Sequence, residues 1–360
     1  MKKGYLYLVT VSACLSFTFL SCMVGDGDRD DGGTRPGYAS VHAVGTSQSG
    51  SRITPLFWRN GVQYTLNAAT GFDATPFSVH VSSSNNVFIA GSEESISNYS
   101  YYPVLWKNGT RQRLSTTYWG EARSAFVVGN DVYAAGYCDF QELITPVIWK
   151  NETMIPLDFS GISAWAESVY VAGNNEYAVG CMVDYFYSNY RGQAMLWENG
   201  RPLSLSAPGS RYNAYIDDFE YNKATSVHGN FVAGNVLDTY TGNFVATLWI
   251  NGLPQSLTNG NFDAYASSVF VQGLDVYVAG HEYNAFDQPV ARLWKNGIAQ
   301  SFGNQNSVAY SVFVSGYDVF VAGIQLNTEG NWVATLWQNG IPQTLAGGAN
   351  HSAAYSVFVR

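Results

Sequence analysis

The sequence predicts an all-β protein, a seven-bladed β-propeller of four-stranded blades, and three observations predict it. Seven tryptophans sit in an LW-x-N-G type of phrase, at Trp58, Trp106, Trp149, Trp197, Trp249, Trp294 and Trp337. Their spacings of 48, 43, 48, 52, 45 and 43 residues match a period of roughly 40–50 residues, which marks blades or similar arrays. Each interval holds several short runs of β-branched and aromatic residues, with no helical periodicity. The third observation is that each end of the chain carries a fragment of the unit that the other end completes.

The clearest unit starts at Ser268. Its first strand, SVFV (268–271), meets a second, DVYVAG (275–280), across a short Gly-containing turn. A third strand, PVARLW (289–294), runs into Asn296-Gly297 and then a short fourth strand, IAQSF (298–302). Asn-Gly supplies the two positive-φ residues of a type I′ hairpin turn. The same pair recurs at Asn60-Gly61, Asn108-Gly109, Asn199-Gly200, Asn251-Gly252 and Asn339-Gly340. The third unit has Asn151-Glu152, where Glu would strain such a turn, so a longer hairpin is expected there.

The first recognisable strand, VHAVG (41–45), matches the second strand of a unit, and the last residues, SVFV (356–359), match a first strand. Joined, they form one blade from one C-terminal and three N-terminal strands. Such closure hides sheet edges that an open array exposes. An open solenoid would need polar capping units, and none is visible. Trp and the residue before it alternate across a strand, so both should be buried between blades. Gly45, Gly91, Gly136, Gly180, Gly234, Gly280 and Gly323 are read as ends of second strands, where a small residue permits a bend.

On these phrases the chain resembles the bacterial extracellular propeller repeats of the HAF type, whose units carry A-x-L-W-x-N-G followed by a small-residue strand ending in V-x-G. The resemblance covers residues 39–359 and departs from that family in using SVFV where a more Asn-rich phrase is usual. It implies a propeller and no enzymatic activity.

Residues 1–21 read as a lipoprotein signal peptide. Lys2 and Lys3 precede an apolar run from Tyr5 to Leu20 that ends in FLSC, with Cys22 as the lipidated residue. VSAC (11–14) offers a competing site at Cys14, after an unusually short apolar core. The run is shorter than the roughly 20 residues of a spanning helix. Residues 22–38 then form an acidic, Gly-rich tether, and 39–360 the propeller. Asp26, Asp28 and Asp30 alternate as in a calcium loop, but Asp31 stands where Gly is required and Gly37 where Glu is. No metal or cofactor is expected. These features point to the bacterial cell envelope, with a lipid anchor in the outer membrane as the one expected membrane contact.

The formal charge is −9, and loss of Lys2 and Lys3 makes it −11. With no basic patch, nucleic acid is not an expected partner. Cys138 and Cys181 follow equivalent glycines of consecutive units by two and one positions. One would face forward and the other back, so a disulfide and two buried free thiols are both open readings.

Function is expected on the face carrying the long, variable connections between second and third strands and between units. Candidate ligand-binding residues there are Tyr101, Tyr102, Trp119, Tyr185, Tyr187, Tyr190, Tyr215, Asp217, Asp218 and Tyr283. Exposed aromatics among acids, Glu93, Glu94, Asp139 and Glu282 among them, suit sugar stacking or anchoring of a protein partner, while any single ring taken alone reads first as packing its loop onto the disc. The longest insertion spans 206–223. His80 and His228 occupy the Phe place of SVFV, facing the channel or replacing a core aromatic. No nucleophile motif, metal-ligand spacing or phosphate-binding Gly loop appears. The expectation is a non-enzymatic module binding a glycan or an envelope protein. The alternatives are a polysaccharide-active hydrolase or lyase using loop-face carboxylates, and a structural subunit of an envelope assembly.

Overall fold

A computed structural model describes residues 40–140, 143–186, 189–205 and 223–360, and the side chains at 184–191 and at 301 lie outside that description. The signal segment, Cys14, Cys22, the tether, Tyr187, Tyr215, Asp217 and Asp218 lie outside the described residues. All 28 elements among the described residues are strands. Ala39–Arg360 is one compact unit.

Blade 1 takes β1 (Val41–Ser49), β2 (Arg52–Arg59) and β3 (Val62–Thr65). Blade 2 is β4 (Phe72–Val81), β5 (Val87–Ser95), β6 (Tyr101–Lys107) and β7 (Thr110–Arg113). Blade 3 is β8 (Gly120–Val128), β9 (Asp131–Phe140), β10 (Leu143–Lys150) and β11 (Thr153–Pro156). Blade 4 is β12 (Ser163–Ala172), β13 (Asn175–Phe186), β14 (Asn189–Glu198) and β15 (Arg201–Ser204). Blade 5 is β16 (Lys223–His228), β17 (Phe231–Leu237), β18 (Phe244–Ile250) and β19 (Leu253–Ser256). Blade 6 is β20 (Ala264–Gln272), β21 (Asp275–Tyr283), β22 (Pro289–Lys295) and β23 (Ile298–Gln305). Blade 7 is β24 (Ser307–Ser315), β25 (Asp318–Leu326), β26 (Trp332–Gln338) and β27 (Ile341–Thr344). The last strand, β28 (His351–Val359), pairs antiparallel with β1 and completes blade 1 in the order β28-β1-β2-β3. The fold is a seven-bladed β-propeller closed as the sequence predicts.

One apolar cluster fills each junction between neighbouring blades. At the junction of blades 2 and 3, Leu105 of blade 2 meets Trp149 of blade 3; at the next, Ile148 of blade 3 meets Trp197 of blade 4. The alternation of a strand explains this, since each Trp faces the preceding blade and the residue before it faces the following one. All seven anchor tryptophans are at most 1% exposed. The split blade obeys the same rule: Trp58 shares a cluster with Leu336, Val357 and Val359.

The repeated Gly has a different role from the one expected. Gly136 lies inside β9, opposite a bulge in β8 where the register jumps from Ala122 to Ser124. A Cβ at Gly136 would collide with the backbone carbonyl of Glu121. The glycine is therefore required by close approach of two backbones at the bulge, not by a strand end.

The repeated Ser beside the bulge bonds across the junction. The innermost strand is a sheet edge, so alternate N–H groups have no partner in their own blade, and the N–H of the residue after the Ser is accepted by the Ser of the preceding blade. Ala125 N–H donates to Ser78 Oγ at 3.1 Å, Val312 N–H to Ser268 at 3.2 Å, and Val357 N–H to Ser311 at 3.2 Å. Across the closure, Val79 N–H donates to Ser356 at 3.2 Å. The inner strands are thus stitched blade to blade by side chain to backbone bonds.

The hairpin Asn does more than adopt positive φ. Asn108 Oδ1 accepts from Val87 N–H at 2.8 Å, and Asn296 Oδ1 accepts from Val276 N–H at 2.8 Å. Asn296 Nδ2 also donates to Asp275 Oδ1 at 2.8 Å. Each such amide ties the third strand's turn to the start of the second strand. Asn151 does the same for Val132 at 2.9 Å, and that need overrides the expected longer hairpin. Asn151 and Glu152 adopt φ of 47° and 71°, and Lys150 pairs Thr153 as in the other blades.

Glu152 therefore stands in the left-handed region, where a side chain costs about 1–2 kcal/mol. Part of that is offset by the larger unfolded-state entropy of Gly. Glu152→Gly is expected to stabilise the propeller by roughly 0.5–1 kcal/mol, read as a raised urea midpoint at constant slope. An unchanged or lowered midpoint contradicts the strain.

Candidate functional site

Strand direction fixes which end of the central channel faces which connections. Each inner strand starts at the long connection from the preceding blade and ends at the short turn to its second strand. Two rings of inner-strand side chains line the channel as a result.

The first ring lies toward the short turns and takes the Phe place of SVFV. His80, Phe126, Tyr170, His228, Phe270, Phe313 and Phe358 form a closed collar with successive ring centroids 4.5–5.0 Å apart. His80 and His228 thus replace core aromatics and face the channel at once. Burial lowers both to about 4, so at neutral pH each is an uncharged ring among rings.

The second ring lies nearer the long connections and is set by the bulged residue before each Ser. These residues are unlike one another. Phe77, Tyr310 and Tyr355 make an aromatic side, with Tyr355 5.6 Å from Tyr310 and 6.4 Å from Phe77. Burial and Tyr355 push the Tyr310 hydroxyl up. Arg123 and Glu167 make a charged side with Glu121 and Lys223 beside them. Arg123 Nη2 lies 2.6 Å from Glu121, and Lys223 Nζ 2.7 Å from Glu167. The Arg123 guanidinium also lies 4.8 Å from the Phe77 ring, joining the two sides.

Glu167 and Arg123 are held ionised by their neighbours. Burial alone would push the Glu167 carboxyl up, but Lys223 and Arg123 outweigh it and hold it low. Burial opposes the Arg123 charge, which Glu167 and Glu121 restore. Burial, then Glu121, pushes the Tyr137 hydroxyl up and keeps it protonated as a donor. A carboxylate held low is a hydrogen-bond acceptor and a poor general acid. The mouth of the channel can therefore grip hydroxyls, amides or charged groups on one side and stack an apolar face on the other.

The predicted residues are distributed around this mouth. Trp119 is 53% exposed and stands in the connection that leads into β8, two residues before Glu121. Tyr101 is 40% exposed and opens β6 opposite Glu94; burial, then Glu94, raises its hydroxyl. Tyr102 is packing rather than a free surface: its ring lies against Phe72, with Arg113 4.4 Å above both. Tyr283 ends β21 with its ring 5.7 Å from His281. Tyr185 and Tyr190, expected in a loop, are register partners in an extension of β13 and β14.

Two further expectations are corrected. Glu93, grouped with the loop-face acids, is fully buried and bridged by Arg111 at 2.7 Å and Arg113 at 3.2 Å. Cys138 and Cys181 are both free and buried, so the disulfide reading falls. Cys138 packs into the junction of blades 2 and 3, whereas Cys181 senses Lys223 of blade 5. They face away from the junction that their blades share. Burial pushes both thiols up to about 12.

Sequence reasoning missed Glu121, Arg123, Glu167 and Lys223. A signal existed, because the residue before each repeated Ser varies freely while its neighbours do not.

No family model and no curated protein matches the chain. Solved structures do. The propeller domain of the Trilobed protease from Pyrococcus furiosus, described by its open velcro topology, aligns with TM-score 0.53 and 9% identity over 87% of this chain and 99% of that one. A puromycin-hydrolyzing peptidase of Mycobacterium tuberculosis aligns with TM-score 0.52 and 11% identity over 84% of this chain and 53% of that one. A puromycin hydrolase gives TM-score 0.53 and 11% identity over 87% and 54%. The chain spans about half the length of these two hydrolytic enzymes. The likeness shows the propeller. The expectation that the chain is not an enzyme is corrected, since the solved relatives of its fold are the propellers of peptidases and hydrolases.

The collar supplies a pH test. A histidine at about 4 in the fold and 6.5 unfolded contributes stability that is full above pH 6.5. That stability drains as pH falls from 6.5 to 4 and is flat below. The slope is at most about 1.4 kcal/mol per pH unit for each His. His80→Phe with His228→Phe, which restores the repeat's own residue, is expected to flatten the fall in urea stability between pH 6.5 and 4. His42 and His281, also lowered to about 4, leave a residual slope. Parallel pH curves for parent and variant contradict the assignment.

Proposed function

We propose that this propeller is a binding module of the bacterial envelope whose ligand, a glycan or a protein segment, docks on the long-connection face over the channel mouth. The observation that carries the reading is the division of that mouth into a charged side (Glu121, Arg123, Glu167, Lys223) and an aromatic side (Phe77, Tyr310, Tyr355), on the face where the long connections carry exposed Trp119 and Tyr101. Sugars and peptides both pair polar edges with stackable faces, and rings fixed on a rigid scaffold bind them at small entropic cost. A second reading, in which the same face presents a peptide to a hydrolytic partner, is favoured by the fold shared with peptidase propellers. Its ligand would be a peptide and not a sugar.

A glycan array and a peptide library probed with the propeller separate these readings. On the ligand so found, Trp119→Ala is expected to weaken binding by about 2 kcal/mol, roughly thirtyfold, in calorimetric titration. Its melting temperature should stay close to the parent's, because the ring is half exposed. Normal binding by that variant contradicts the placement.

A further inference from the structure

The face carrying the short turns is not uniform. Five of the inner turns begin with Gly at φ near +60°, and the residue after that Gly stands clear of the disc. In blades 3, 4 and 5 it is Asn130, Asn174 and Asn230; in blades 6 and 7 it is Leu274, 98% exposed, and Tyr317, fully exposed. The residue after each outer hairpin turn also divides, with blades 5 and 1 joining 6 and 7. Blades 2, 3 and 4 have Thr110, Thr153 and Arg201, all exposed. Blades 5, 6, 7 and 1 have Leu253, Ile298, Ile341 and Val62, exposed by 72%, 71%, 73% and 55%. Four consecutive blades therefore show apolar tips at their outer hairpins, and blades 6 and 7 show them at the inner turns as well, where the other three blades show polar outer tips.

The chain joins the propeller within that arc. β1 starts at the short-turn face, and Ser40 before it exchanges backbone bonds with Arg360 in blade 1. The 17 residues from Cys22 to Tyr38 precede this point. A flexible Gly-rich segment of that length has a root-mean-square reach on the order of 20–25 Å. A lipid at Cys22 would hold the short-turn face, and this arc first, close to the bilayer.

We propose that the apolar arc of blades 5, 6, 7 and 1 docks the short-turn face on a lipid bilayer, turning the long-connection face away from the membrane. The proposal rests on the reading of Cys22 as the lipidated residue. The tips suit lipid better than protein. Each stands alone on a tight turn, so a folded partner would need a separate socket for each, whereas the bilayer interface admits protruding Leu, Ile and Tyr without matching their shape. Lys295 lies 2.8 Å from Asp275 beside Leu274, and Arg360 of blade 1 is held by the Ser82 and Ser83 carbonyls, which leaves Arg59 as the exposed basic group of blade 1 on this face; the apolar tips carry the contact, so zwitterionic lipid suffices.

The test uses the propeller Ala39–Arg360, which contains every strand pairing of the described chain, with phosphatidylcholine vesicles at saturating lipid. Cys138 and Cys181 are buried, so Leu274→Cys, Tyr317→Cys, Asn174→Cys and Tyr240→Cys each accept one environment-sensitive fluorophore. The expected result is a blue shift with vesicles at 274 and 317, none at 174 on the polar arc or at 240 on the opposite face, and no effect of added salt. Combined Leu274→Ser, Ile298→Ser and Tyr317→Ser should cut partition by about tenfold or more while leaving the melting temperature unchanged. No partition, an equal response at all four sites, or self-association without vesicles that the triple variant abolishes overturns the proposal. Palmitate labelling of the full chain and of Cys22→Ala tests the anchor separately, so a failed anchor and a failed surface give different results.

Discussion

The bond from an inner-strand N–H to the serine of the neighbouring blade is the interaction on which the rest depends. The innermost strand is a sheet edge, so that N–H has no partner in its own ladder, and leaving it unpaired in the core would cost about 1–3 kcal/mol. The serine supplies the partner only if the next blade stands in one position. Ser, bulge and Gly are thus a single device: the bulge brings two backbones together, the Gly tolerates the approach, and the Ser fixes the neighbour. The Trp and Leu of each third strand then fill the junction that this spacing creates.

The same device shapes the candidate site. The bulged residue lies outside the repeated Trp, Ser and Gly contacts, so it is where sequence varies. Around the channel it runs from Phe77 through Arg123 and Glu167 to Tyr310 and Tyr355. Seven nearly identical blades thereby enclose an asymmetric mouth. The collar below it carries no such variation in character, since each member must fill the gap between two rings 4.5–5.0 Å away.

Most of the fold was legible because its determinants are local and repeated. Asn-Gly names a turn, the Trp spacing counts blades, and the fragments at 41–45 and 356–359 show the split blade. What escaped is non-local. The collision that requires Gly136 is with the carbonyl of Glu121, and the amide that holds Asn151 in its tight turn belongs to Val132. The site was less legible for a related reason. Tyr102 and Glu93 looked like loop residues, but β5 and β6 extend past the repeat, burying Glu93 and packing Tyr102. Arg123 and Glu167, which no sequence motif singles out, line the channel mouth.

Removal of β28 tests ring closure most directly. A chain ending at Asn350 lacks the inner strand of blade 1, its pairing with β1, the Ser356 bond to Val79 and the Val357 bond to Ser311. Exposed ladder groups and the apolar face of Val357 and Val359 should then abolish a single cooperative melt, or lower its midpoint by more than about 10 °C. A truncated chain that melts in one transition within a few degrees of the parent would show that the ring does not depend on this strand.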